Sequence, residues 1–194
     1  YMGVLLAQAA RFRGADVDLV HGRLQVPTSW LEGINNFSVK DSSELQTTLE
    51  KLQPSANAIA MTAAIADLRR KQSPAQGKKL SKESFLQSLS NDLEYVPDVL
   101  RQLVRQRCKG QIVMGFTALT GTDEEIKIVG KEKKINKGCD LMMVNPIDRP
   151  GQGFGNKRNG GFLIGPQGTT KTIPLTPKLN LAHFLLDEML NCES

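Results

Sequence analysis

The stretch Ala-Asn-Ala-Ile-Ala-Met-Thr-Ala-Ala at positions 56–64 decides the fold. It reads as one small, apolar run, which predicts a strand buried on both faces of a parallel sheet. Upstream, apolar positions at helical spacing run over 3–13, and Gly14 makes the C-terminal stop. Val17 and Leu19 alternate with Asp16 and Asp18 in a strand over 15–20. A turn-rich loop with Pro27 and Gly33 follows. Asp41 or Ser42 then caps a helix to about Gln53, with Glu44 three residues after Asp41 as in a capping box. Downstream, Leu68 to Ser81 is a basic loop carrying Arg69, Arg70, Lys71, Lys78 and Lys79 with hardly an apolar residue. Pro97 opens a helix to about Arg107, followed by a strand over 112–116, a helix over 123–136 and a strand over 139–144. This alternation predicts an α/β fold with a mostly parallel sheet. The tail differs: short strands over 160–165 and 170–175 flank Pro166-Gln167-Gly168 as an antiparallel hairpin, and an amphipathic helix covers 178–190.

A chain of 194 residues supports one well-cored domain, 1–194. Its 40% hydrophobic and 23% charged composition is that of soluble globular proteins. No apolar run nears the roughly 20 residues of a membrane span, and no signal segment opens the chain, so a cytoplasmic protein without a membrane partner is expected. Tyr1-Met2-Gly3 leads straight into a helix pattern, the look of a chain whose natural start lies upstream. Cys108, Cys139 and Cys192 are odd in number and far apart, hence reduced thiols. With two histidines, His21 and His183, no protein metal site is expected. The net charge of +5 favours an anionic partner: nucleic acid, a membrane surface or a phosphorylated small molecule.

In open parallel sheets ligands bind in the crevice outside the carboxyl ends of the strands. Three strand ends carry suggestive residues. Met61 to Leu68 offers small side chains that let a flat ligand approach, with Asp67 as an acceptor for ribose or a base; packing residues and a turn-capping Asp are the plainer reading. In Gly115 to Thr122, Phe116 could stack on a base or simply fill the core. Val144 to Gly155 brings Asn145 and a Gly/Pro-rich loop, which could equally just turn the chain. Lys133 and Lys137 stand at i, i+4 and share a helix face, suited to a triphosphate or to solvent. No Walker A or GxGxxG motif is present, and no catalytic triad.

In this order, "AAIADL" at 63–68, "GKKLSK" at 77–82, "VPDVL" at 96–100, "GFTALT" at 115–120, "KKINKGCDLMMVN" at 133–145 and "QGFGNKRNGGFLI" at 152–164 make a series. The chain resembles the phosphopantothenate–cysteine ligase family, the synthetase domain of the bacterial bifunctional coenzyme A biosynthesis protein. The resemblance implies a Rossmann-like, three-layer α/β/α fold and a homodimer, with the hairpin around Pro166 a candidate interface. It implies CTP as co-substrate, Mg2+, and 4'-phosphopantothenate and L-cysteine as substrates. By position, Met61, Thr62, Ala63 and Asp67 match the nucleoside pocket. Val96, Pro97, Asp98, Val99 and Phe116 match further nucleotide contacts, as do Lys133 and Lys137. Lys78 matches the catalytic lysine of a basic flap, about 68–82. Three departures stand out: Leu68 replaces a usual Tyr or Phe, Val96 replaces a usual Asn, and the family's N-terminal segment is absent. That segment carries a catalytic Asn, and many bacterial members also carry a flavin-dependent decarboxylase upstream.

The chemistry so implied needs no protein nucleophile. The carboxylate attacks the α-phosphate of CTP, giving an acyl-cytidylate and pyrophosphate; the cysteine amine then displaces CMP. What the protein supplies is alignment of mutually repelling anions and exclusion of water. Two other readings remain: a Rossmann-type NAD(P)-dependent oxidoreductase domain, in which the basic flap has no role, and a nucleic-acid-binding module. Against the latter, aromatics make up only 5% and none interleaves with the lysines; no nucleic-acid partner is expected.

Overall fold

A computed structural model describes residues 1–71, 93–153 and 155–192. The chain divides into two compact units, Tyr1–Ala63 with Val99–Ser194, and Ala64–Asp98. The larger begins with helix α1 (Met2–Phe12), which ends through Gly14 in the left-handed region at φ 87°. Strand β1 (Asp18–His21) follows, three residues later than the alternation suggests, and pairs in parallel with β2 (Asn35–Ser38). Periodicity gives no sign of β2, because Asn35, Asn36 and Ser38 are polar and exposed. Helix α2 (Ser42–Leu52) is capped by Asp41, whose Oδ1 accepts from the amides of Ser43 and Glu44 at 2.8 and 2.9 Å. Glu44 reaches back to the Lys40 amide rather than to Asp41.

Strand β3 (Ala58–Met61) heads a five-stranded sheet of order β3-β6-β7-β8-β9. Its partners are β6 (Ile112–Leu119), β7 (Leu141–Pro146), β8 (Arg158–Ile164) and β9 (Thr170–Pro177). β3, β6 and β7 are parallel, β8 runs against both its neighbours, and β9 again follows the parallel direction. The doubly buried strand expected over 56–64 is corrected in length and in burial. Only four residues pair, and Ala58 and Ala60 are exposed, because β3 stands at the sheet edge with a single neighbour. The strand expected to stop at Phe116 continues to Leu119, its last residues paired with Val144, Asn145 and Pro146. The helix expected from Pro97 starts two residues later, as α3 (Val99–Arg105).

The pleat of β7 divides the core into layers. Leu141 and Met143 pack with Leu163, Ile173 and the apolar faces of α1 and α5 (Lys178–Leu190) in one cluster. Met142 and Val144 point to the other face. Met142 and Leu100 of α3 both crowd Gly115, and Val144 lies 2.8 Å from the place of a Cβ on Gly130 in α4 (Asp123–Lys137). Helices thus cover both faces, the three-layer arrangement expected. The C-terminal hairpin is present, its turn holding Gln167 at φ 53°.

In the smaller unit, Leu68–Arg70 is not loop but strand β4, antiparallel to β5 (Leu93–Tyr95). Arg69 sits opposite Glu94, and their side chains pair at 2.6 Å, so a cross-strand ion pair replaces the apolar contacts the sequence lacks. The rest of the basic segment, including Lys78 and Lys79, lies outside the described residues.

Candidate functional site

The directions of the strands fix one rim. The carboxyl ends of β3, β6, β7 and β9, the start of β8 and the start of α5 all lie at the same edge of the sheet. The start of α1 joins them: a Cβ on Gly3 would stand 2.8 Å from Thr62 Oγ1. Met61 is the buried last residue of β3, Thr62 half-buried beyond it, and Ala63 exposed. Phe116 is not at a strand end but mid-strand in β6, half-buried against the α1/α5 cluster. Val99 is buried in the first turn of α3. In the smaller unit, the Asp67 carbonyl accepts from the Val96 amide at 2.9 Å, and Asp67, Pro97 and Asp98 are exposed.

Lys133 and Lys137 do share a face of α4, both half-buried. They are not brought to the rim. α4 leaves the rim at Asp123 and runs back along the sheet, so at 1.5 Å per residue they stand roughly 15 and 21 Å down the helix. The capping box that starts α4, Thr122 with Glu125, anchors its other end and holds the Glu125 carboxyl below its usual range through the Thr122 backbone and hydroxyl donors.

The rim has its own polar framework, which the sequence does not advertise. Asn159, 4% exposed, donates from Nδ2 to Asn145 Oδ1 at 2.8 Å, tying the start of β8 to the end of β7. Its own Oδ1 is buried and meets no donor among the described residues. The loop after β7 is stitched to the β6 turn: Ile147 N to Leu119 O, Gly121 N to Asp148 Oδ2 at 2.9 Å, and Arg149 to Asp123. Lys178 holds the loop's far half, its Nζ donating to Gly153 O at 3.1 Å and its amide to Lys157 O at 3.0 Å. The signal that could have found Lys178 is a cation opening a helix, where the macrodipole disfavours it.

Cys139 and Cys192 are not candidates for nucleophiles. All three cysteines are free, and burial pushes the Cys139 and Cys192 thiols up. Among the described residues no three His, Cys, Asp or Glu side chains gather to hold a metal ion, and no helix is long and apolar enough to cross a membrane.

Residues 1–192 match the family described as the DNA/pantothenate metabolism flavoprotein C-terminal domain. The chain belongs to this family. It is 31% identical over 199 residues to the coenzyme A biosynthesis bifunctional protein CoaBC of Mycobacterium tuberculosis (strain ATCC 25618 / H37Rv), covering 97% of this chain and 45% of that protein. The chain therefore spans about half the length of the curated relatives it matches. Its fold is similar to the crystal structure of the C-terminal domain of CoaBC, with a TM-score of 0.76 at 22% identity, covering 98% of this chain and 82% of that one. A Cab2 variant in complex with phosphopantothenate-cysteine shares the fold at TM-score 0.63 and 11% identity, over 98% of this chain and 76% of that one.

Proposed function

We propose that this domain joins L-cysteine to 4'-phosphopantothenate in coenzyme A biosynthesis, through an acyl-cytidylate and with release of pyrophosphate and CMP. The observation that carries the reading is the match of nearly the whole chain to one half of a protein named for coenzyme A biosynthesis. The phosphopantothenate-cysteine found in a protein of the same fold supports the substrates. The rim agrees with a ligand held by separate strand ends, since no glycine-rich cradle is present at the turns of β3 and β6.

In this reading Met61, Thr62 and Ala63 receive the nucleoside, with Asp67, Val96, Pro97, Asp98, Val99 and Phe116 as further contacts. Lys78 is assigned by resemblance as the catalytic lysine that faces the reacting groups. Mg2+ would arrive on the triphosphate, because it is bound through substrate phosphates and a few carboxylates rather than a protein cage; it would spread charge at the α-phosphate. The Lys133/Lys137 pair and Met61 stand at different ends of the sheet. A homodimer that sets α4 of one copy against the rim of the other would bring both to one nucleotide. In this reading the domain acts in the cytoplasm, fused to or associated with a flavin-dependent decarboxylase.

The test is a coupled assay on the full-length protein with CTP, ATP or no nucleotide. Pyrophosphate and CMP release that requires both 4'-phosphopantothenate and cysteine is the expected result. Nucleotide-independent turnover, or none with either nucleotide, would sink the ligase reading.

A further inference from the structure

Lys178 breaks two local rules together. It is the first residue of α5, where aligned peptide dipoles disfavour a cation, and no side chain caps that helix. It is also only 6% exposed. Among the described residues no carboxylate pairs with its ammonium, whose contacts are the Gly153 carbonyl at 3.1 Å and the Tyr1 ring, 5.8 Å to the centroid. Burial accordingly pulls its pKa below the usual lysine value. A charge kept at such a place marks a local cost that the fold tolerates for another purpose.

What Lys178 touches shows that purpose. The loop after β7 is held in two halves. The first, Ile147 to Arg149, hangs on Leu119, Gly121 and Asp123. The second hangs on Lys178, through Gly153 in its left-handed conformation (φ 92°) and through Lys157. Inside that half, the Asn156 amide donates to Gln152 O at 2.8 Å, and Gln152 and Gly153 are buried. This half-loop leads straight into β8, three strands along from β3 and so about 14 Å from the strand end that carries Met61.

We infer that Lys178 is a positioning residue: it sets Gln152, Gly153, Asn156 and Lys157 as part of the wall that seats the carboxylate substrate alongside the nucleotide. The inference rests on the ligase reading. A wall displaced by about 1 Å costs alignment of the attacking carboxylate, on the order of a hundredfold in rate, with little effect on a nucleotide held at β3.

The experiment compares wild type, Lys178→Met, Gly153→Ala and the double variant in the full-length protein. Steady-state kinetics for each substrate, nucleotide affinity and melting temperature are measured. Lys178→Met should lower kcat/KM for the carboxylate substrate by at least about tenfold, with nucleotide affinity within about twofold and the melting temperature held. Gly153→Ala strains the same loop at the contact of Lys178 while keeping the lysine itself, and should show the same split. The double variant should be no worse than the worse single, because both act on one loop. Wild-type kinetics in Lys178→Met would overturn the inference. So would an equal loss for every substrate together with a fallen melting temperature, which means a merely structural lysine. If Lys178→Met does not fold, unaltered kcat/KM for the carboxylate substrate in Gly153→Ala overturns it instead. Wild-type protein without ligation sinks the ligase reading along with this inference, whereas ligation by wild type and Lys178→Met alike sinks this inference alone.

Discussion

Gly161 sits in β8 beside the irregular register at Asn159, with φ 138° and a vacant Cβ position 2.1 Å from the Val144 carbonyl oxygen. No side chain fits there without moving the β7 backbone. Gly161→Ala should therefore cost about 3 kcal/mol or more in urea unfolding, the range of strained backbone and core disruption. Nothing in the run Asn159-Gly160-Gly161 says which glycine is indispensable, since the answer lies at Val144, seventeen residues away. Cys139 supplies a pH test. Its thiol is raised above the ordinary 9.0, first by burial, so above that pH the unfolded chain releases its proton before the folded one does. The folded state then binds more protons, and stability falls as pH rises from about 9 through the folded value. Cys139→Ala should flatten that fall in chemical denaturation measured between pH 8 and 10.5, at a cost of about 1 kcal/mol at neutral pH for the lost packing. Lys133→Ala and Lys137→Ala probe the nucleotide contacts that rest on resemblance. Each should weaken CTP binding by about 1–3 kcal/mol in calorimetry without changing circular dichroism. Unaltered affinity in both would leave the pair as a solvated helix face.

Elements with local signals were legible, and those made by pairing were not. The capping box of Thr122 and Glu125 was not among the sequence expectations, although its signal is local: Thr122 accepts from the Glu125 amide while Glu125 Oε2 accepts from the Thr122 amide at 2.9 Å. Thr122→Ala should lower the stability of the domain by about 1 kcal/mol, the usual cost of a lost N-cap, seen as a shifted urea midpoint with an unchanged slope. α5 covers the residues its periodicity predicts, 178–190, because one face is apolar and the other polar. β2 and β4 were missed for the same reason as each other. Each has few apolar residues and draws its stability from a partner, β1 in one case and β5 in the other, that periodicity cannot see. β3 was recognised as a strand and given the wrong surroundings, since a run of alanines fits an edge as easily as a centre.

For the whole molecule, mass action gives the broadest discriminator. A ligand that binds only the folded state raises the melting temperature by an amount that grows with the logarithm of its concentration over its dissociation constant. CTP with Mg2+ should stabilise the full-length protein more than NAD or an oligonucleotide does, in a thermal-shift series at matched concentrations. Equal shifts for CTP and NAD would favour the dinucleotide alternative. The same series with ATP reads base preference.

The alternation of the main helices and strands, the hairpin, the Asp41 cap and the family motifs were written in the chain, because each depends on residues within a few positions of one another. The small residues and the turn after β3 were legible in the same way. Which residues meet there was a matter of topology. Phe116 went to the middle of β6 because β7 extends its pairing to Leu119. Lys133 and Lys137 went away from the rim because a crossover helix runs antiparallel to its strands. Lys178 came to the rim because the reversed β8 returns the chain, through β9, to the end where the parallel strands finish. Strand direction is set by long-range hydrogen bonding, and a sequence of local propensities does not contain it.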